Sequence, residues 1–290
     1  MKQNIDMLQL RFVHQNDKTL SSTSISLKNV QEFRGALKDS ASLVVPLHNA
    51  THVILAPETA QTLHDSSLSY FIGIRRCVAL LRVMGNVSRV LLLSTQLSNP
   101  RTRESLRRFR KNKLRHLSQI ATKFTSPGFL DFRYAGEDSV RKSGIPHTII
   151  RTGQVSDNLP VGGTCVIAQC NSSVGGSCAP DDVASICTAA LFSEAASDVT
   201  FEVGMRKRKN QRFAMGSTIS INDICNDTFR CLDSKFDAPD SKRVLLVECL
   251  DSDCSKDLIW AHEMLKVERI VSQPSILSNM GKIEGLYPAW

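Results

Sequence analysis

The densest run of ionisable side chains is RTRESLRRFRKNKLRH, residues 101–116, with eight lysines and arginines against one glutamate. That segment alone accounts for most of the chain's formal net charge of +8, so the rest is nearly balanced. As a helix it would set Leu106, Phe109, Lys113 and Leu117 on one side and arginines on most others. Such an arm can contact an anionic partner, a nucleic acid included, or stand as a solvated insertion. Phe109 is its one aromatic, too little to stack bases. A second cluster, Arg206-Lys207-Arg208-Lys209, reads as a nuclear-import signal or as a charged hairpin tip. Metal chemistry is not indicated, because the seven histidines are scattered and His262-Glu263 has no second ligand four residues along its helix. The nine cysteines lack Cys-x-x-Cys pairing, and Cys77 and Cys187 fall on apolar helical faces. That predicts buried free thiols in a reducing intracellular compartment.

The elements that would position any chemistry alternate between strand and helix patterns. Residues 8–13 are apolar and end at a polar break, His14-Gln15-Asn16-Asp17. Val30-Gln31-Glu32-Phe33-Arg34 reads as a strand, and Asp39 or Ser40 caps a following helix. His52-Val53-Ile54-Leu55 is a strand ended at Ala56-Pro57. Leu68, Ile72, Cys77, Leu80, Leu81 and Met84 recur at helical spacing until Gly85-Asn86. Residues 87–93 form a strongly apolar strand with Ser94-Thr95 at its carboxyl end. Ser126-Pro127-Gly128 reads as a turn, and a helix then runs to Gly144, a natural C-cap with Arg141 and Lys142 in its last turn. His147-Thr148-Ile149-Ile150 follows as a short covered strand.

Residues 157–176 read as loop, with glycine pairs at 162 and 175. Asp181-Asp182 opens a helix to Phe192, acids at its positive end, and Val199-Thr200-Phe201-Glu202-Val203 alternates as a strand. The pattern predicts an α/β fold with a mostly parallel sheet. Beyond residue 204, Phe213-Ala214-Met215 reads as a strand, 219–236 as a helix capped by Ser220 or Asn222, 242–249 as an apolar strand and 258–271 as an amphipathic helix. No apolar run reaches the ~18 residues a membrane span needs.

The segment FLDFRYAGEDSVRKSGIPHTIIRTG, residues 129–153, resembles the helix, Ser-Gly and Thr-Ile-Ile-Arg-Pro-Gly unit of the atypical short-chain dehydrogenase/reductases, the NmrA-like NAD(P)-binding proteins. Three further blocks fall in the same order: FRGALKDSASL before His52-Val53-Ile54, Asn86-Val87-Ser88-Arg89-Val90 leading to Ser94-Thr95, and Asp182-Val183-Ala184. The resemblance covers roughly residues 8–204. It implies a Rossmann-like, doubly wound sheet over residues 1–204, incomplete at its N-terminus and interrupted by the basic insertion. Residues 205–290 would then be a C-terminal α/β extension, serving as a substrate lobe or a partner surface.

The same resemblance assigns the site. In the family the helix carries a Tyr-x-x-x-Lys pair that contacts nicotinamide, ribose and substrate; here those positions hold Phe129 and Arg133. Arg133 can still hold a ribose hydroxyl or phosphate through its planar fork, but Phe129 has no proton to give, and Tyr134 is turned about 100° away. Ser94 stands at the catalytic serine's position, where its hydroxyl would bond a carbonyl; Ser-Thr after a strand is also ordinary turn chemistry. Thr152-Gly153-Gln154 would pass the nicotinamide, with Thr152 in place of proline, and Ala56 and Pro57 would border the adenine ribose. His14 follows the strand that sets cofactor choice, and no acid ends that strand, which favours NADP over NAD, or neither.

The glycine-rich turn on which the pyrophosphate would lie has no counterpart before Leu10-Arg11-Phe12-Val13, the second strand by alignment. That is expected of a shortened version of a longer protein, in which a transit peptide would also be hidden, or of a divergent sheet. Two functions follow: a scaffold, regulatory or assembly protein of this fold with its catalysis degenerate, or an NAD(P)H-dependent oxidoreductase with a non-standard proton donor.

Overall fold

The computed structural model describes residues 9–14, 30–37, 39–57, 67–96, 98, 127–162, 164–169, 177–205, 217–220, 229, 230, 232 and 234. Its centre is the strand RVLLLST, β4 (Arg89–Thr95), whose apolar residues are buried on both faces as a parallel strand between two helical layers requires. On one side β4 pairs in parallel with β3 (His52–Leu55). On the other it pairs in parallel with β5 (His147–Thr152), and β5 in turn pairs in parallel with β9 (Val199–Met205). The sheet is completed by β7 (Thr164–Ala168), antiparallel to β9, and β10 (Ser217–Ser220), antiparallel to β7. The order is therefore β10-β7-β9-β5-β4-β3. Two short parallel strands, β6 (Gln154–Val155) and β8 (Ser177–Cys178), pair beside it.

Two further strands, β1 (Leu10–His14) and β2 (Val30–Arg34), pair in parallel as a separate two-stranded sheet. A 3-10 turn at Ser40–Leu43 runs into α1 (Val44–Leu47). A π-helical segment, Ser67–Gly73, runs into α2 (Ile74–Met84); α3 spans Pro127–Arg141 and α4 spans Pro180–Leu191.

Register decides which layer each strand residue meets. Val53, Val90, Leu92 and Ile149 face α2 and α3 in a core with Ile74, Cys77, Val78, Leu81 and Val140. Leu91, Ile150, Phe201 and Val203 face α4, against Ile186, Cys187 and Ala190. Burying so much branched apolar surface, about 1.5–3 kcal/mol per fully buried side chain, is what holds the three layers together. Cys77, Cys165 and Cys187 are free and buried, Cys178 is buried as well, and desolvation pushes the Cys77 and Cys187 thiols up to about 12.

Gly144 ends the turn after α3 at φ +72, where a side chain would be strained. Gly136 has a different purpose: a Cβ there would lie 1.9 Å from the Tyr70 carbonyl oxygen, so only glycine lets α3 press against the π-helical segment.

Three expectations are corrected. Residues 157–176 are not all loop, because Thr164–Ala168 is β7; its apolar residues are buried by antiparallel pairing, a contact invisible to local periodicity. Pro127 is the first residue of α3 rather than part of a turn, the position where a missing N–H costs nothing. Ile219 and Ser220 belong to β10 rather than to a helix. The readings at 101–116, 206–209, 213–215, 242–249, 258–271 and His262-Glu263 lie outside the described residues. Among the described residues no helix is long and apolar enough to cross a membrane, and no group of His, Cys, Asp and Glu could hold a metal.

Candidate functional site

The carboxyl ends of β4, β5 and β9 place three polar residues abreast. Ser94 is in register with Arg151, and Arg151 with Glu202, so all three point to the layer of α3. All three are buried, at 6%, 4% and 1% exposure. Charged side chains inside a strand covered on both faces must find partners. For Ser94 and Arg151 that partner is Glu137, one turn beyond Arg133 on α3 and fully buried.

Arg151 grips Glu137 with two bonds: Nε donates to Oε1 at 3.2 Å and Nη2 donates to Oε2 at 2.6 Å. Arg141, one turn farther along α3, donates to Glu137 Oε2 at 3.0 Å, to Asp138 Oδ1 at 2.8 Å and to Thr200 Oγ1 at 3.1 Å. The Ser94 hydroxyl donates to Glu137 Oε1 at 2.6 Å, and the Ser98 hydroxyl lies 2.5 Å from the same oxygen. Burial alone would raise the Glu137 carboxyl, but Arg151, then Arg141 and the hydroxyl of Ser94, outweigh it and hold the group at about 2.

Glu202 is the opposite case. Its oxygens have no hydrogen-bond partner among the described residues, and Arg151 Nη1 is 3.9 Å from Oε1. Burial, which Arg151 only partly offsets and Glu137 reinforces, raises it to about 8, so it carries its proton at neutral pH.

Arg133 lies on α3 one turn before this network and turns to the π-helical segment. Its Nη2 donates to the Tyr70 phenol oxygen at 2.5 Å, and its Cζ lies 3.9 Å from the centroid of the Tyr70 ring. Burial draws the guanidinium below its ordinary range, while Tyr70 and Glu137 act in the other direction. Tyr70 is buried at 2% exposure. Phe71 and Phe132 stack beside the pair at 6.4 Å, fixing the two elements together. Tyr134 faces another way, with the Arg141 guanidinium 5.6 Å from its ring.

The other expected positions are spread along the same end of the sheet. Thr152 is buried, and its hydroxyl lies 3.4 Å from the Ser94 carbonyl oxygen. The Gly153 N–H donates to the Val203 carbonyl at 3.3 Å, and Gln154 is exposed in β6. Ala56 is exposed and Pro57 half-buried after β3, while His14 ends β1. Phe129 sits in the first turns of α3.

The structure thus brings Ser94 into the α3 network and ties Arg133 to Tyr70. Sequence reasoning missed Glu137, Arg151, Glu202 and Tyr70. A signal for the first three existed: Arg151 in HTIIRT and Glu202 in VTFEV are charges inside strands too apolar to leave them solvated, and Glu137 lies four residues from both Arg133 and Arg141.

A nicotinamide ring would need donors from this end of the sheet. The hydroxyl of Ser94, the guanidinium of Arg133 and the N–H of Gly153 are all engaged within the protein. Among the described residues, these three donors are already turned to partners inside the protein. A groove of about 340 Å³ lined by Leu81, Arg82, Gly85, Val87 and Ser143 to Pro146 lies at the opposite, amino ends of β4 and β5.

Comparisons with known proteins bear on the body as a whole. Among solved structures, the chain is similar to the anaerobillin reductase ChuY of Escherichia coli O157:H7, with 16% identity over 71% of this chain and 89% of that one and a TM-score of 0.49. It is similar to a short-chain dehydrogenase/reductase of Veillonella parvula in complex with NADP, with 15% identity over 63% and 76% and a TM-score of 0.45. It is also similar to the enzyme WbmG of Bordetella bronchiseptica in complex with NAD, with 13% identity over 74% and 67% and a TM-score of 0.45. No curated protein matches it. A family model described as NAD(P)H-binding matches residues 6–194, more than half of the sequence. By that match, and with the parallel α/β sheet that the resemblance to atypical short-chain dehydrogenase/reductases implied, the chain belongs to the NAD(P)H-binding family.

Proposed function

We propose that this protein keeps the nucleotide-fold body of its family, has lost the proton-transfer chemistry, and acts as a scaffold, regulatory or assembly protein. The observation that carries this reading is the Ser94 hydroxyl, donated at 2.6 Å into a carboxylate that two arginines already hold. A hydroxyl has one proton, and one engaged with a buried anion is not offered to a carbonyl substrate. Phe129, at the position where the family's phenol stands, has no proton to give. Nucleotide contact, on this reading, falls to the adenine side at Ala56, Pro57 and His14, with NADP favoured over NAD. Residues 101–116 supply the candidate contact for an anionic partner.

The test is to mix the purified chain with NADPH or NADH and a panel of aldehydes, ketones and enones, following absorbance at 340 nm. No substrate-dependent oxidation is expected. Turnover that disappears in Ser94→Ala would overturn the reading.

One observation favours the second reading, an active oxidoreductase with a non-standard donor: the Arg133 guanidinium does meet a phenol, that of Tyr70, across two helices. On that reading Tyr70→Phe abolishes turnover. The burial of Tyr70 weighs against it, since a donor must reach its substrate.

A further inference from the structure

At the carboxyl ends of β5 and β9 one arginine stands between two buried acids. Arg151 gives Nε and Nη2 to Glu137 of α3, while its Nη1 lies 3.9 Å from Oε1 of Glu202 on β9. That gap is about 1 Å longer than a charge-assisted hydrogen bond. Glu202 is 1% exposed, and neither of its oxygens has a hydrogen-bond partner among the described residues. An ionised carboxylate held there would lack the donors it needs, so this arrangement belongs to the protonated acid.

The groups that face Glu202 come from three elements. β5 supplies the Arg151 guanidinium, which favours the anion, and α3 supplies Glu137, which opposes it. Arg141, also on α3, reaches the strand of Glu202 at Thr200 Oγ1, two residues earlier and on the same face. Beyond Arg141 lie its other carboxylate partner, Asp138, and the ring of Tyr134. From the neighbouring strand, β7 sets Ala168 opposite Glu202 and brings no charge. The two acids are therefore unequally supplied. Glu137 has a second arginine, since Arg141 donates to its Oε2 at 3.0 Å, and the Ser94 hydroxyl at Oε1. Glu202 has Arg151 alone among the described residues.

We propose that Arg151 is a proton-controlled arm, holding Glu137 while Glu202 keeps its proton and closing on Glu202 when that proton leaves. The step is a simple ionisation: the Glu202 O–H gives its proton to hydroxide or a buffer base and the carboxylate keeps the electron pair. Arg151 Nη1 then moves about 1 Å to make a charge-assisted bond. Glu137 is not stranded by the move, because Arg141 and Ser94 stay with it. The protonated state clasps β5 to α3; the ionised state clasps β5 to β9. Burial places the changeover near 8, in mildly alkaline solution. This holds whether or not Ser94 takes part in catalysis.

NMR on the full chain, with glutamate labelled at the carboxyl carbon, arginine at Nε and both assigned through the backbone, tests this. From about pH 6 to 9.5 the Glu202 carboxyl signal is expected to titrate with a midpoint near 8. The Arg151 Nε–H signal is expected to shift with the same midpoint, because Nε leaves the Glu137 oxygen as Nη1 closes on Glu202. In Glu202→Gln, which copies the shape of the uncharged acid, the Arg151 signal is expected to stay constant over that range. A Glu202 carboxyl already ionised at pH 6, or an Arg151 signal indifferent to the Glu202 titration, overturns the proposal. An Arg151 shift that persists in Glu202→Gln overturns it too. Should the glutamine variant fail to fold, agreement or disagreement of the two midpoints in the native chain decides.

Discussion

The two flanks of β4 are built on opposite terms. Toward β5 and β9, strand, helix and charge close on one another: Ser94, Arg151 and Glu137 sit within hydrogen-bond reach in a buried network. Toward β3 the same layers thin out, Ile54 is half in water, and β1, which shares the core, pairs with β2 and not with the six-stranded sheet among the described residues. In the first region the Ser94 hydroxyl and both oxygens of Glu137 are taken up within the protein, and Glu202 alone of that group keeps carboxyl oxygens without a hydrogen-bond partner among the described residues. In the second, the apolar side chains of Ile54 and Leu10 remain exposed, at 45% and 49%. What a site can bind depends on which of its groups are still unengaged, more than on which residue types it contains.

The sharpest way to break the closed side is Glu137→Ala. It leaves the buried Arg151 guanidinium without the carboxylate that grips it and takes from Arg141 one of its two carboxylate partners, and urea denaturation is expected to show a loss of about 3–5 kcal/mol. A loss below about 1 kcal/mol would mean that Arg141 and Arg151 reach solvent.

Next in size is a pH effect at Glu202. Its folded pKa, about 8, lies above the ordinary 4.5, so the folded protein keeps a proton that the unfolded chain gives up. The stabilisation is complete below about pH 4.5 and declines as pH rises toward 8, by an amount on the order of a few kcal/mol. Glu202→Gln should flatten that decline, as followed by the urea midpoint from pH 5 to 8. Glu137 acts with the reverse sign: its depressed pKa, about 2, gives stability above 4.5 that is lost as pH falls through 2.

The open side is sharpened by comparing Leu91→Ala with Ile54→Ala: the fully buried Leu91 is expected to cost about 2–5 kcal/mol, and Ile54, 45% exposed, about half of that or less. Smallest is Ser94→Ala, expected to cost about 1 kcal/mol, the ordinary value of one hydrogen bond, measured by the same denaturation.

Much of the body was legible because it depends on local pattern. The run of apolar residues in β4, the glycine ends of α2 and α3, and the acids opening α4 each follow from short-range rules. β7 was not legible, since TCVIA lies between glycine-rich stretches and owes its strand to partners distant in sequence. The site shows the same division. Phe129 and Arg133 could be placed on one helix from spacing alone. That Arg133 would turn to Tyr70, sixty-three residues away, required the close approach that Gly136 permits. The capture of Ser94 by Glu137 likewise depends on how α3 lies over β4, which no window of sequence contains.

The most direct measurement is a calorimetric titration of NADPH and NADH into the native chain and into Ser94→Ala. With the Ser94 hydroxyl engaged by Glu137, the two proteins should behave alike, with any dissociation constants agreeing within about twofold. A tenfold or greater weakening in Ser94→Ala would show the hydroxyl facing the nucleotide, and would contradict the account.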